Sequence, residues 1–218
     1  MNIAQTDVGG VLPFETHDFN KVGILGGTFN PPHLGHLYMA NRAIREFGLD
    51  KLLLMPVGDP PHKRNIRIAQ GIDRLNMLEL LSEGSDKIEI CDIEIKRLGY
   101  TYTVDTLRQL SKEMKNSIFY YLIGEDTLHE IESWREHRAV FSMTEFICIP
   151  RPGGDEKKML AQIKRMKEVY SKDIAVASFS GPDISSTNIR QLISQGDSTE
   201  GLLSDSVRRY IDDNQLYR

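Results

Sequence analysis

The segment GGTFNPPHLGH, residues 26–36, combines residue types suited to binding phosphate and directly follows a short apolar run. Gly26 and Gly27 allow a turn whose backbone amides can approach a phosphate, and the helix that begins after the turn adds the positive end of its dipole. His33 and His36 are three residues apart, so both imidazoles lie on one face of the first helical turn. There they can hydrogen-bond the same anionic group.

Two other interpretations of the histidines stay open at this point. A helix cap plus a buried core imidazole would explain a lone histidine, but not glycine, phenylalanine, proline and two histidines together in one turn. A zinc site needs more ligands than two histidines, and no carboxylate completes a HExxH pattern. We therefore expect no metal held by protein ligands alone.

A second polar segment, DISSTNIRQLI at residues 183–193, has the composition of a helix N-terminus. Ser185 or Ser186 can cap a helix that begins at Thr187. Several hydroxyls, the free amides of the helix and the Arg190 side chain would then converge on one point, which is the arrangement of a phosphate clamp. The alternative is an ordinary serine-capped helix with Arg190 in solvent.

Further polar and aromatic side chains follow the later predicted strands. The basic loop PPHKR (60–64) follows the second strand, and Tyr102 and Thr103 stand at a helix start, where capping alone would explain Thr103 equally well. Trp134 has polar neighbours, which suit a ring-stacking wall of a pocket, although a core position is the default for tryptophan. Asp126 could bind ribose or adenine groups, or simply cap the next segment.

Short apolar runs alternate with helical patterns from Lys21 onward. The predicted strands span residues 21–25, 52–57, 87–95, 117–124, 145–150 and 174–179. The predicted helices span 34–47, a stretch through Leu75, Leu78 and Leu81, 104–114, a short stretch near 134–140, 155–170 and two final segments. This alternation predicts an α/β fold, a single-domain Rossmann-like doubly wound parallel sheet with helices on both faces.

The predicted domain covers residues 21–218 and follows an N-terminal extension, residues 1–20, that has no clear periodicity and no assigned role. In the strand order 3-2-1-4-5, a crevice opens at the carboxyl ends of the first and fourth strands. That order places residues 26–36 beside GEDTL at residues 124–128. We expect a ligand to bind there.

Composition excludes several classes of protein. The 218 residues carry a net charge of −4 at pH 7, so a polyanion must be held by a local positive cluster, and a nucleic-acid partner is not expected. No apolar stretch approaches the roughly 20 residues that cross a bilayer, and no signal-peptide pattern is present, so we expect a cytoplasmic location without a membrane partner. Cys91 and Cys148 are interpreted as buried reduced thiols. The P-loop and G-x-G-x-x-G motifs are absent, which excludes P-loop phosphate binding and argues against a dehydrogenase.

Two signatures resemble those of the nucleotidyltransferase superfamily. GGTFNPPHLGH resembles its (G)GxFxPxHxGH signature, and DISSTNIR resembles its ISSTxIR signature. The segments PPHK, YTVDTL, IGEDTL, SW and RPG resemble the bacterial nicotinate mononucleotide adenylyltransferases, from about Val22 to the C-terminal LYR. This resemblance implies transfer of the AMP part of ATP to nicotinate mononucleotide, giving deamido-NAD and pyrophosphate, with Mg²⁺ bound mainly through the ATP phosphates. A homo-oligomer is left open.

The resemblance also implies roles for individual residues. The predicted catalytic residues, which would contact the phosphates, are His33, His36, Lys63 and Arg190. The β- and γ-phosphates would be held by Ser186, Thr187 and Arg190. The remaining ATP contacts would come from Gly26, Gly27, Thr28, Phe29, Gly124 and Asp126. The nicotinate part of the substrate would be held by Tyr102, Thr103 and Trp134.

Arg135 stands where the family often has an aromatic residue. We hypothesise that its guanidinium pairs with the nicotinate carboxylate and favours the acid over the amide. Attack of a substrate phosphate oxygen on the α-phosphorus needs alignment and charge stabilisation but no protein nucleophile, so we predict no covalent intermediate. The alternatives are another transferase of the superfamily, such as phosphopantetheine adenylyltransferase, against which Trp134 argues, and a sensor that binds ATP without turnover.

Overall fold

The computed structural model describes residues 20–58 and 68–218. The strands in this part of the chain are β1 (Lys21–Gly27), β2 (Lys51–Pro56), β3 (Ile88–Ile90), β4 (Ile118–Gly124), β5 (Glu145–Ile149) and β6 (Ile174–Val176). Its helices are α1 (Leu34–Phe47), α2 (Gly71–Ser82), α3 (Ile93–Lys96), α4 (Thr103–Glu113), α5 (Glu125–Glu130), α6 (His137–Met143), α7 (Glu156–Tyr170), α8 (Ser186–Gln195) and α9 (Asp205–Asp213). Not one of these helices has the length and apolar character needed to span a membrane. Residues 1–19 of the predicted extension lie outside the described residues, so the extension stays a prediction.

The strands form one parallel sheet in the order β3-β2-β1-β4-β5-β6. This confirms the predicted doubly wound α/β fold. Ile24 of β1 lies opposite Leu53 of β2 on one side and Tyr121 of β4 on the other, so the strand order reverses at β1. A crevice is therefore expected at the carboxyl ends of β1 and β4, which end at Gly27 and Gly124.

Adjacent residues of β1 show why helices cover both faces of the sheet. Ile24 packs into a buried cluster with Leu107 of α4 and Met166 of α7. The next residue, Leu25, packs into a different cluster with Ala43 of α1. Successive strand side chains point to opposite faces, so a strand that is apolar at both positions needs a helical layer on each side.

The segment 87–95 differs from its prediction as a single strand. It pairs as a strand only over β3 and then turns into the short helix α3. Asp92 separates the two elements, because it precedes the helix and pairs with Lys96 one helical turn later at 2.8 Å. Alternating isoleucines on both sides of Asp92 resemble a continuous strand, although Asp92 favours a helix start.

The connection between β4 and β5 also differs from its prediction. Residues 125–130 form α5 directly after β4, which the sequence analysis did not predict. The short helix predicted over 134–140 begins instead at His137, after Glu136 in the left-handed conformation (φ 51°). Trp134 consequently lies in a loop rather than on a helix.

Candidate active site

A cleft of about 700 Å³ lies at the carboxyl ends of β1 and β4, where the topology requires it. Three segments contribute to its lining: the turn after β1, the end of β4 and the approach to α8. The lining residues used below are Gly26, Gly27, Thr28, His33, His36, Tyr121, Gly124, Thr127, Trp134, Arg151, Asp183, Ser185 and Ser186. A smaller pocket of about 190 Å³, which includes Thr28, Phe29, His36, Ser186, Thr187 and Arg190, shares several of these residues. The two predicted phosphate segments therefore meet.

The turn after β1 has little room for side chains. A Cβ atom at Gly26 would lie 2.5 Å from the hydroxyl oxygen of Tyr121, so only glycine fits there without displacing the tyrosine. Phe29 is buried and adopts the left-handed conformation (φ 48°), which is uncommon for a bulky residue. Arg74 of α2 supports this turn, since its guanidinium donates to the carbonyl oxygen of Thr28 at 3.0 Å. The surrounding structure thus stabilises a strained backbone at the point of ligand approach.

His33 and His36 form one stacked unit at the start of α1. Their ring centroids are 3.7 Å apart, and the edge of Phe29 packs on the His36 ring at 4.7 Å. The backbone N–H of His33 donates to Nδ1 of His36 at 3.2 Å. In a neutral imidazole an accepting Nδ1 leaves the proton on Nε2, so His36 retains an N–H for a ligand.

Both imidazoles are neutral at pH 7 in the free protein. Burial lowers the pKa of His33 from 6.5 to about 4. Burial, followed by repulsion from His33, lowers the pKa of His36 well below 6.5. Nδ1 of His33 is buried and has no hydrogen-bond partner among the described residues. A buried polar atom without a protein partner calls for an explanation, such as a partner that the ligand or a water molecule would supply.

The tip of α8 meets the histidine turn through direct hydrogen bonds. Ser186 Oγ donates to the carbonyl oxygen of Pro31 at 2.8 Å, and Arg190 donates to that of Asn30 at 2.7 Å. Arg190 also donates to Thr187 Oγ1 at 3.2 Å. The sequence did not determine whether Ser185 or Ser186 caps α8, and the structure identifies the capping residue.

Ser185 is the N-cap of α8, since its Oγ accepts from the backbone N–H of Asn188 at 3.1 Å. The helix consequently begins at Ser186, one residue earlier than predicted. Ser185 and Ser186 line the cleft together with His33 and His36, and Ser186, Thr187 and Arg190 line the smaller pocket with His36. The predicted clamp is therefore assembled on one surface.

Aromatic and hydroxyl side chains build the other end of the cleft. Trp134 lines the cleft and packs edge-on against Tyr121, with ring centroids 5.6 Å apart. The Tyr121 hydroxyl is hydrogen-bonded to the Thr103 side chain, and burial raises the pKa of Tyr121 well above 10. Trp134 also packs against the hydrophobic core, as the core interpretation predicts, whereas its role as a ring-stacking wall stays a prediction.

Three residues predicted to hold the nicotinate, Tyr102, Thr103 and Arg135, do not line the cleft. Arg135 places its guanidinium carbon 4.6 Å above the ring of Tyr102, and its Nε lies 3.9 Å from a carboxylate oxygen of Glu136. Tyr102 itself is the N-cap residue of α4. The predicted contacts of all three residues stay predictions.

Asp126 and Lys63 are the remaining predicted site residues. Asp126 is exposed at the start of α5 and pairs with Arg151 at 2.8 Å, and the cleft lining includes Gly124, Thr127 and Arg151 instead. Lys63 lies outside the described residues. Arg151 belongs to the RPG segment after β5, so its position after a parallel strand was the signal that could have identified it.

Two buried charged residues near the site were missed by the sequence analysis. Arg74 is 3% exposed and donates to the Val57 carbonyl oxygen at 2.7 Å as well as to Thr28. Glu94 is 5% exposed and accepts from Thr106 Oγ1 at 2.8 Å, and burial raises its pKa above 4.5. Arg74 lies in a predicted helix and Glu94 in a predicted strand, and a charged residue in either pattern usually faces solvent, so the sequence carried no signal for them.

The described residues contain no group of three or more His, Cys, Asp or Glu that could hold a metal ion. Asp183 is the acidic side chain among the cleft lining residues. Mg²⁺ usually keeps several waters and binds through one or two carboxylates together with substrate phosphates. The donor set of the cleft fits an ion that arrives with a phosphate ligand.

The chain matches the model of the Cytidylyltransferase-like family over residues 24–192. A relative in Desulfitobacterium hafniense named "Probable nicotinate-nucleotide adenylyltransferase" is 39% identical over 198 residues, covering 91% of this chain and 96% of the relative. A protein of the same name in Clostridium tetani is 35% identical, covering 91% of this chain and 99% of the relative.

Solved structures confirm the fold at lower identity. Plasmodium falciparum nicotinic acid mononucleotide adenylyltransferase complexed with APC is similar with a TM-score of 0.71 at 20% identity, covering 91% of this chain and 97% of that chain. The same protein complexed with NaAD has a TM-score of 0.69, also at 20% identity, with coverages of 91% and 97%.

Proposed function

This chain belongs to the cytidylyltransferase-like family, and we propose from that membership and from the cleft that it is a nicotinate-nucleotide adenylyltransferase. It transfers the adenylyl group of ATP to nicotinate mononucleotide, giving deamido-NAD (nicotinate adenine dinucleotide) and pyrophosphate in NAD biosynthesis. One observation carries the proposal: the stacked pair His33 and His36 and the tip of α8 line the same cleft, and α8 side chains donate to backbone carbonyl oxygens of the histidine turn.

The phosphate end of the cleft acts by positioning and hydrogen bonding. The phosphate oxygen of nicotinate mononucleotide attacks the α-phosphorus of ATP, and pyrophosphate leaves with the bonding electrons. Neutral His33 and His36 donate N–H bonds to the oxygens of the transferring group, where they stabilise the charge that develops in the transition state. The α8 amides, Ser186, Thr187 and Arg190 hold the departing pyrophosphate. The chain forms no covalent intermediate.

The site also suits the metal ion that phosphoryl chemistry commonly uses. Mg²⁺ bound to the ATP phosphates would supply neutralisation of charge on the departing pyrophosphate. Asp183 is the cleft carboxylate that would bond to one of its waters or bind it directly. Lys63 is proposed to reach the same phosphates from the loop after β2.

The aromatic end of the cleft is proposed to hold the nicotinate ring. Trp134 supplies a face or edge for stacking, and the bonded pair Tyr121 and Thr103 lies beside it. Arg135 is proposed to pair with the nicotinate carboxylate, which requires its side chain to leave the ring of Tyr102. A cytoplasmic location and the absence of nucleic-acid and membrane partners stay predictions from composition.

Pyrophosphate release tests the proposal directly. Purified protein with ATP and Mg²⁺ is assayed separately with nicotinate mononucleotide, nicotinamide mononucleotide and phosphopantetheine. We expect rapid release with the first, slower release with the second and none with the third. Pyrophosphate release only in the reaction with phosphopantetheine would assign the chain to another branch of the superfamily. ATP binding without release in any of the three reactions would indicate a nucleotide sensor.

A further inference from the structure

The last residues of the chain fold back against the phosphate turn. After α9 the backbone passes through two residues in the left-handed conformation, Gln215 (φ 51°) and Tyr217 (φ 65°). The N–H of Leu216 donates to the carbonyl oxygen of Ile211 at 3.0 Å, which closes the end of the helix. Left-handed backbone at two non-glycine residues is strained, so tertiary contacts must stabilise this shape.

The hydroxyl of Tyr217 makes such a contact with Asn30, 187 residues earlier in the chain. It donates to Asn30 Oδ1 at 2.8 Å. The same Oδ1 accepts from the backbone N–H of Ala69 at 3.0 Å, and the Asn30 carbonyl oxygen accepts from Arg190 at 2.7 Å. Asn30 is only 3% exposed. It therefore joins the phosphate turn to α8, to the segment before α2 and to the C-terminus.

Loss of the hydrogen bond from Tyr217 would affect the phosphate turn at Asn30, whose two neighbours in the chain are themselves constrained. Asn30 lies between strained Phe29 and Pro31, whose carbonyl oxygen accepts from Ser186. Burial raises the pKa of Tyr217 well above 10, so the hydroxyl keeps its proton and donates throughout the physiological range. Removing the donor leaves Asn30 Oδ1 with one bond fewer in a buried position, where an unmet hydrogen bond is costly.

We propose that Tyr217 is a positioning residue of the phosphate site, which acts through Asn30 to hold the histidine turn and Arg190 in their ligand-binding arrangement. This inference rests on the proposed function, because it assigns the turn to ATP. Tyr217 does not belong to the lining of the cleft, so its effect on ATP is indirect. The expected result is that a C-terminal side chain influences ATP binding without touching ATP.

The same C-terminal region offers a matched control in Tyr210 of α9. Its hydroxyl donates to Asp73 at 3.0 Å and accepts from Asn76 at 2.9 Å, both on α2. Tyr210 thus fastens α9 to the body of the protein, as Tyr217 fastens the chain end, but its bonds do not reach Asn30. Substituting phenylalanine at either position keeps the ring and removes only the hydroxyl.

The experiment compares Tyr217→Phe with Tyr210→Phe in the full chain. Calorimetry with ATP and Mg²⁺ gives the ATP affinity, steady-state assays give KM for each substrate, and thermal unfolding gives stability. We expect Tyr217→Phe to weaken ATP affinity and raise the KM for ATP by about five- to tenfold, the equivalent of one lost hydrogen bond. The KM for nicotinate mononucleotide should stay within about twofold, and Tyr210→Phe should change neither KM beyond about twofold.

A positioning role and a merely structural role give different results. The inference is supported if the two variants lose equal stability and only Tyr217→Phe changes the ATP affinity. Unchanged ATP affinity in Tyr217→Phe, or the same change in both variants, overturns it. If the unsubstituted protein releases no pyrophosphate with ATP and nicotinate mononucleotide, the proposed function fails, and the calorimetric comparison still decides the role of Tyr217.

Discussion

The two ends of the cleft are held together by different kinds of contact. At the phosphate end, side chains from distant segments bond to backbone carbonyl oxygens of the turn: Arg74 to Thr28, Arg190 to Asn30 and Ser186 to Pro31. At the aromatic end, side chains contact side chains: Trp134 with Tyr121, and Arg135 with Tyr102. The first arrangement determines backbone shape, whereas the second determines which surface the ligand meets.

This difference predicts how each end responds to substitution. A turn held through its carbonyl oxygens presents a fixed set of N–H donors, and the loss of one anchor alters their geometry together. An aromatic wall loses one contact when one side chain is removed, while its neighbours keep theirs. We therefore expect large effects on turnover at the phosphate end and smaller, substrate-selective effects at the aromatic end.

The largest effect is expected for His36→Ala. Removal of one preorganised donor to the transferring phosphate should lower kcat by about a hundred- to a thousandfold, since such donors contribute most in the transition state. Pyrophosphate release measures the loss, and circular dichroism checks that the fold survives. His129→Ala removes an imidazole outside the cleft lining and should keep kcat near its original value. Near-normal turnover in His36→Ala would exclude this role.

The next effect concerns stability in acid at the phosphate end. The unfolded chain binds a proton at His33 near pH 6.5, whereas the folded chain binds it only near pH 4. Between these values the unfolded state holds more protons, so the free energy of unfolding falls as the pH is lowered from 6.5 to 4, by roughly 3 kcal/mol from this residue. Above pH 6.5 this contribution to stability is fully present.

Urea unfolding at several pH values tests this assignment in the unsubstituted protein and in His33→Gln. The glutamine has no proton to bind in this range, so the difference in unfolding free energy between the two proteins should change with pH and level off below about 4. Parallel curves from pH 7 to pH 4 would contradict the buried neutral state of His33. Titrating groups far from His33 contribute equally to both proteins and cancel in the difference. The stacked neighbour His36 does not cancel, because His33→Gln removes the repulsion that helps to lower its pKa.

At the aromatic end, Trp134→Ala should raise the KM for nicotinate mononucleotide by about tenfold, because aromatic contacts contribute about 0.5–1.5 kcal/mol beyond the area they bury. The KM for ATP should change little. Trp134→Phe keeps an aromatic ring and should recover part of the loss. A matching rise in both KM values would mean that Trp134 supports the whole cleft and does not act on one substrate.

The smallest effect is expected for Arg135→Ala. The Arg135 side chain is 55% exposed and its guanidinium already has Tyr102 and Glu136 as partners, so pairing with a nicotinate carboxylate should change the acid-to-amide preference by only about threefold. Competition between nicotinate and nicotinamide mononucleotides measures the ratio. Arg138→Ala is the matched control, because Arg138 lies over Tyr170 in the same way at 4.9 Å. An unchanged ratio in Arg135→Ala would leave Arg135 as a surface residue.

The sequence could predict those parts of the site that depend on spacing within one segment. His33 and His36 share a helical turn because they are three residues apart, and Thr187 and Arg190 meet at one helix tip for the same reason. The parallel sheet follows from the alternation of apolar runs and helices, and the crevice follows from the strand order. These inferences need only local periodicity and the rules that connect strands.

Segments whose local pattern fits two structures were less predictable. The isoleucines around Asp92 fit a strand as well as a strand followed by a helix, and only pairing with β2 ends the strand at Ile90. Arg135 stands beside Trp134 in sequence, yet it lies over Tyr102, whereas Trp134 lines the cleft. Neighbours in sequence do not have to face the same cleft.

The amino-acid sequence by itself determined the fold class, the two segments predicted to bind phosphate and the edge of the sheet where they meet. Only the tertiary structure decided how the histidine turn keeps its shape, through Arg74 and Arg190 from two different helices and Tyr217 from the chain end. The physical reason is that a buried hydrogen bond depends on distance in space, and residues 187 positions apart leave no periodic signal of their contact.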